Sequence, residues 1–281
     1  MRPVRSIVVP GFRGAATACG IKKSGKPDLA LVVSDLPCAS DVVFTRNRVA
    51  AAPVAWGRAL RSRSRLRGVL VNSGNANACT GEEGVRAVRE TAAAAARSLG
   101  LPAGALLVSS TGVIGVPFPS GKILSAIPKL CSSLSPRGIV QAGAAILTTD
   151  AYPKRGVRRI RVRGRTITLG GIAKGAGMIA PNMGTMLSYV FTDAARTADL
   201  RRVFRRGVER SFNRIVVDGD TSTNDTAAVF ASGACGLPPL SGRDLEAFAA
   251  ALESLLLDLA LMIVRDGEGA TRVVRAAVTG A

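Results

Sequence analysis

The sequence predicts a layered α+β (α/β) fold, and three observations carry that expectation. Short runs rich in β-branched residues alternate with Ala-rich stretches of helical length. The alternation is not a strict βαβ repeat, which speaks against a doubly wound parallel sheet. Hydrophobic residues make up 47% of the 281 residues, enough to bury a sizeable core in one large domain or two modest ones.

In chain order, strands are expected first at residues 6–10, 29–34, 41–44, 68–72 and 106–109, where Val, Ile and Leu cluster between Gly, Pro, Asp or Ser. Helices are expected at 84–99, whose Ala92 to Ala96 run is ordinary helix filler, and at 137–147. Residues 158–163 and 165–169 flank Gly164 and read as a hairpin, followed by a strand at 187–192. A helix over 200–212 has Thr197 or Asp199 as its candidate cap, and strands follow at 214–218 and 227–232. Ser241 with Asp244 approximates a capping box for a helix at 243–264, and a last strand is expected at 272–279.

Composition narrows the function classes. The formal net charge is +19, concentrated in residues 58–67 and 154–165. Such a balance can mark a nucleic-acid partner, but no aromatic residues interleave the runs, so they read as solvated edges. The five cysteines, Cys19, Cys38, Cys79, Cys131 and Cys235, include no CxxC pair and are expected to be small buried hydrophobes without disulfide or metal. There is no signal-peptide pattern, and the longest apolar run is interrupted by Asp258, so a soluble cytoplasmic protein with no membrane partner is expected. The chain contains no histidine, which excludes Ser-His-Asp and Cys-His catalysis within it. An N-terminal α-amine is the alternative base for a threonine nucleophile.

Four stretches dense in Gly, Asn, Thr and Ser lie beside strongly apolar sequence: 71–81, 109–115, 174–187 and 217–226. Polar loops commonly have no role beyond solvation, but four of this kind point to a shared site. The dipeptide Gly184-Thr185 taken alone is a turn entering a strand. Gly184 also lacks a Cβ that would hinder attack by Thr185 Oγ on the preceding carbonyl. An N→O acyl shift and hydrolysis would then free the Thr185 α-amine, whose ordinary pKa of about 8 suits a base.

Eight ordered stretches carry a resemblance: CGIKKSGKPDLALVVSD from Cys19, FTRNRVAAAPV from Phe44, VNSGNANACTG from Val71, STGVIG from Ser110, AILTTD from Ala145, KGAGMIAPNMGTML from Lys174, NRIVVDGDTSTNDT from Asn213 and RDGEGATR from Arg265. Together they resemble the bifunctional ornithine acetyltransferase / glutamate N-acetyltransferase family over the whole chain. The resemblance implies a self-processing N-terminal-threonine acyltransferase fold. It implies cleavage between Gly184 and Thr185, leaving an α chain of residues 1–184 and a β chain of residues 185–281 that assemble as a heterotetramer. Most members carry Ala where Gly184 stands. Thr185 matches the nucleophile, Thr111 and Gly112 the oxyanion-hole pair, and Lys174, one of Thr148 and Thr149, Thr185 and Glu268 the substrate-binding positions. Lys174 suits a substrate carboxylate and Glu268 the ornithine ammonium.

The reaction so implied is acetyl transfer from N2-acetylornithine to glutamate through acetyl-Thr185, in arginine biosynthesis. No bound cofactor or metal is implied; acetyl-CoA serves some members as donor. Family members run on beyond VVRAAVTGA, so the resemblance also implies a β chain missing its C-terminal part. The competing expectations are a self-processing aminopeptidase, a basic nucleic-acid-binding protein and a truncated inactive relative.

Overall fold

The computed structural model describes residues 4–60, 66–102, 104–180 and 186–280. Gly184 and Thr185, with the bond expected to be cut, lie outside the described residues. Two sheets and six α-helices are present among those residues. One sheet holds β1 (Phe12–Thr17), β2 (Leu29–Ser34), β4 (Gly68–Asn75) and β5 (Leu106–Val113), in the order β1-β2-β4-β5. The other holds β3 (Ala39–Phe44), β9 (Thr226–Ala231), β8 (Leu187–Thr192), β7 (Arg165–Lys174) and β6 (Lys154–Val162), in the order β3-β9-β8-β7-β6. Each sheet is mixed, with one parallel pair, β4 with β5 and β8 with β9.

Period-two alternation explains how the sheets stack. In β8, Leu187, Tyr189 and Phe191 join Ala30 and Val32 of β2 and Val69 and Val71 of β4 in one buried cluster. Val190 joins a different cluster on the other face, with Val203, Phe204 and Leu255. That face is covered by α5 (Leu200–Glu209) and α6 (Gly242–Arg265). The outer face of the four-stranded sheet packs Leu29, Leu31 and Leu70 against α2 (Gly81–Ser98) and α3 (Ser120–Ser132). Two sheets face to face between helical layers is therefore the arrangement, in keeping with the layered α+β expectation. Phe12, Phe191 and Phe230 tie the layers together, with ring centroids 5.3 and 5.6 Å apart.

Several expectations need correcting. Among residues 6–10, Ile7 and Val9 are buried and Val8 is exposed, but they belong to no strand; they pack over Gly170, where a Cβ would sit 2.5 Å from Ile7. The edge strand is instead β1, whose FRGAAT sequence has little β propensity and is held by full-length pairing with β2. Residues 214–218 form no strand, Arg214 closing a 3-10 turn over Phe212–Arg214, and residues 272–279 form none either, leaving Val274 and Val278 exposed. Helices α1 (Ala52–Ala59) and α3 were not anticipated, α3 because Pro128 lies inside it. Helix α4 (Ile139–Ala145) is shorter than the 137–147 expected. Ser241 stands at the N-cap of α6 and Asp199 at that of α5, each without a side-chain capping bond. Helix α6 is long and apolar enough to cross a bilayer by composition, yet Leu252, Leu255, Leu256, Leu259 and Ile263 are all fully buried against protein. Cys38 and Cys235 are buried as expected, but Cys79 is exposed and Cys19 and Cys131 are half-buried.

Candidate active site

Strand register brings the polar stretches to one end of the sheets. Lys174 at the end of β7 pairs with Leu187 at the start of β8, and Leu187 pairs with Thr226 at the start of β9. One row of the five-stranded sheet thus aligns the segments around residues 174, 187 and 226. In the facing sheet, Asn72 pairs with Ser110 and Gly74 with Gly112 at the ends of β4 and β5. Ser110 Oγ donates to Asn72 Oδ1 at 2.6 Å. Asn224 closes the two halves together: its Nδ2 donates to Ala76 O at 2.6 Å and to Ser110 O at 2.8 Å.

At this junction Lys174 Nζ donates to Thr111 Oγ1 at 3.3 Å, so a lysine of one sheet meets a threonine of the other. Both side chains are buried. Gly112 has φ +134°, and a Cβ there would lie 2.3 Å from the Gly74 carbonyl carbon, so no other residue fits without moving β4. Asp150 lies beside Lys174, with its Oδ2 3.9 Å from Nζ. Burial pushes the Lys174 pKa below its ordinary value, and the Asp150 charge only partly offsets this. For Asp150 burial acts upward but is outweighed by Lys174, Lys154 and the Gly175 amide, leaving its carboxyl below the usual range.

Thr148 and Thr149 differ. The Thr148 amide donates to Asp150 Oδ2 at 3.1 Å and the residue is half-buried, whereas Thr149 is exposed. Glu268 lies beyond the end of α6; its amide donates to Ala176 O at 2.9 Å. A Cβ on Gly177 would come within 2.6 Å of Glu268 Oε2, so the glycine makes room for that carboxylate. The stretch from Cys19 also reaches the site. The buried Asp28 carboxylate accepts the amides of Cys19, Ile21 and Lys22 at 2.6, 2.7 and 2.9 Å, and Lys22 Nζ reaches across to Ala145 O at 3.1 Å.

The structure brings Thr111, Gly112, Thr148, Lys174 and Glu268 to one end of the sheets, while Gly184 and Thr185 lie outside the described residues. Sequence reasoning missed the residues that hold the cluster. Asp150, Asp225 and Asp266 each lie inside a matched stretch, which was the available signal. Lys154, which opens a basic run that the sequence presents as a solvated edge, is fully buried. Asp225 is buried too; its Oδ1 accepts the Met186 amide at 2.8 Å, and its Oδ2 meets no hydrogen-bond donor among the described residues. Burial raises its pKa well above the ordinary carboxylate value, against the pull of the Met186 amide, the Ser222 and Thr45 hydroxyls and the Lys174 charge.

Comparison with known proteins places the chain among relatives of one family. The arginine biosynthesis bifunctional protein ArgJ of Geobacter sulfurreducens is 50% identical over 276 residues, 97% of this chain and 70% of that protein. The crystal structure of ornithine acetyltransferase from Mycobacterium tuberculosis, solved with ornithine, shares 38% identity with a TM-score of 0.56, over 66% of this chain and 98% of that one. An L-aminopeptidase D-Ala-esterase/amidase from Ochrobactrum anthropi, described as a variant of the Ntn hydrolase fold, matches 94% of this chain and 89% of its own with a TM-score of 0.54. At 11% identity that likeness concerns the fold alone. Residues 13–281 match the pattern of the ArgJ family, and the chain belongs to that family.

Proposed function

We propose that this protein is a glutamate N-acetyltransferase (ornithine acetyltransferase) that cuts itself between Gly184 and Thr185 and carries the acetyl group on Thr185. The observation that carries the assignment of roles is the meeting of Thr111 and Lys174 across two sheets, at the end where β8 begins just after Thr185. In maturation Thr185 Oγ attacks the Gly184 carbonyl carbon, the peptide nitrogen leaves as an amine, and water hydrolyses the resulting ester. The products are an α chain ending at Gly184 and a β chain beginning at Thr185, whose first residue has a free α-amine.

In turnover that amine accepts the Thr185 hydroxyl proton as Oγ attacks the acetyl carbonyl of N2-acetylornithine. The negative charge that develops on the carbonyl oxygen is met by the Thr111 hydroxyl and the Gly112 N–H. Ornithine leaves with the proton on its α-nitrogen. Glutamate then attacks acetyl-Thr185 through its own α-amine, giving N-acetylglutamate and regenerating the hydroxyl. Lys174 binds the substrate carboxylate, Thr148 is the member of the threonine pair drawn into the site, and Glu268 takes the ornithine ammonium. Every step is acyl or proton transfer by side chains and the new N-terminus. Acetyl-CoA as a second donor, a heterotetramer of two α and two β chains, and a cytoplasmic setting belong to the same proposal on family resemblance.

Intact mass of the purified protein beside Thr185→Ala tests it. Two fragments meeting at Gly184-Thr185, absent in the variant, with transfer from N2-acetylornithine to glutamate only in the cut protein, is the expected result. An uncut wild-type chain would sink the self-processing mechanism.

A further inference from the structure

Lys154 is an unusual residue to bury, and the acyl-transfer chemistry makes no use of it. It opens β6 with its side chain fully enclosed. Its Nζ donates to Asp150 Oδ1 at 2.5 Å and to Asp266 Oδ2, and the Tyr152 ring lies 5.1 Å from it. A single ammonium thus bridges two carboxylates from segments more than a hundred residues apart in the chain.

Each carboxylate is bonded in turn to a segment that carries a substrate-reading group. Asp150 Oδ1 accepts the Gly175 amide at 2.7 Å, directly after Lys174, and Oδ2 accepts the Thr148 amide and faces Lys174 Nζ. Asp266 sits at the C-cap of α6 and accepts the Ala151 amide at 3.0 Å, two residues before Glu268. Tyr152 Oη donates to Met262 O at 2.8 Å, fixing the same helix end a second time. Helix ends ordinarily fray; this one is pinned on two sides, and Glu268 continues from it onto Ala176.

We propose that Asp150, Lys154 and Asp266 form a buried strut that holds Glu268 in place relative to Lys174, and so sets recognition of a substrate bearing a carboxylate at one end and an ammonium at the other. The proposal rests on the acetyltransferase assignment above. The strut's residues are positioning residues: they act on the substrate through Lys174, Thr148 and Glu268. Its specific consequence is discrimination. A substrate with a side-chain ammonium needs Glu268 in place, whereas one without it needs only Lys174.

The test compares N2-acetylornithine with N2-acetylnorvaline, which has the same carbon chain and no terminal ammonium, in wild type, Asp266→Asn and Tyr152→Phe. Asp266→Asn keeps an acceptor for the Ala151 amide and removes the charge facing Lys154. It is expected to raise KM for acetylornithine about tenfold, with KM for acetylnorvaline within about twofold and kcat within about threefold. Tyr152→Phe, near the surface and mild for folding, is expected to give the same selective pattern at about two- to threefold. Glu268→Gln should reproduce the selectivity, and adding Asp266→Asn to it should change nothing further. Loss on both substrates together, or on neither, overturns the strut. A wild-type protein that neither turns over acetylornithine nor binds ornithine by calorimetry overturns the acetyltransferase assignment and this proposal with it.

Discussion

Asp150 and Asp225 are both enclosed, both approach Lys174, and receive opposite treatment from their surroundings. Asp150 has two lysines and two amides, so its ionised form is the stable one. Asp225 has the Met186 amide, weaker help from nearby hydroxyls and one oxygen unmatched among the described residues, so burial wins and favours its proton. The difference shows how one pocket can favour the ionised form of one aspartate and the protonated form of another. What separates them is both the number of donors and the depth of burial, Asp225 being the more enclosed residue. Asp150 is bonded to Lys154 and to the amides of Thr148 and Gly175, while Asp225 is bonded to the residue directly following Thr185.

The largest effect should come from unbalancing the paired side. Asp150→Ala leaves Lys154 and Lys174 facing a void, and breaking a buried pair in this way costs about 3–5 kcal/mol; urea denaturation reads the loss. An Asp150→Ala protein within about 1 kcal/mol of wild type would mean the two aspartates are not in fact different in kind.

Thr111→Val probes what Lys174 does between them. It keeps the shape of the site and removes the hydroxyl that Lys174 reaches. The expected loss is about a hundred- to a thousandfold in kcat, the usual size for one oxyanion donor. A loss of binding alone, with kcat intact, would place Thr111 with the substrate contacts instead.

The smallest effect is the most diagnostic. Because the native pKa of Asp225 is raised, the folded protein holds a proton that the unfolded chain releases above about pH 4. Its contribution to stability is therefore present below that pH and lost as pH rises through the native value. Asp150 works in the opposite sense, its contribution present above about pH 4 and lost as acid titrates the depressed native carboxyl. Asp225→Asn should flatten the alkaline-going decline and stabilise the protein by about 1 kcal/mol at pH 8. A variant less stable than wild type at pH 8, by thermal melts across pH, would show Asp225 to be ionised and paired.

The sequence made the inner strands legible and the supports hard to see. Strands β8 and β9 announce themselves because both faces are buried, so nearly every position is apolar or small. Strand β1 is hidden because its partner supplies the order that its own residues do not, and α3 because Pro128 reads as a breaker while tertiary packing of Ile123, Ile127 and Leu130 holds the helix. At the site, Thr111, Lys174 and Glu268 were readable through the motifs that carry them. Lys154 was not, since a lysine beginning an Arg-rich run looks the same whether it meets water or two distant carboxylates. Its partners lie 4 and 112 residues away, and only the folded chain brings the second of them into view.

The Asn224 carboxamide has a kinetic consequence. Its two acceptors, Ala76 O and Ser110 O, lie 148 and 114 residues back in the chain, just past the end of β4 and on β5 of the opposite sheet. Neither bond can form until both sheets exist and have met, because each closes a loop longer than most whole elements of the fold. Hydrogen exchange during refolding should therefore find the protected core of each sheet first and this seam last. A chain that assembles in that order completes its reactive end only when the rest is already built, which keeps an unfinished molecule from cutting itself.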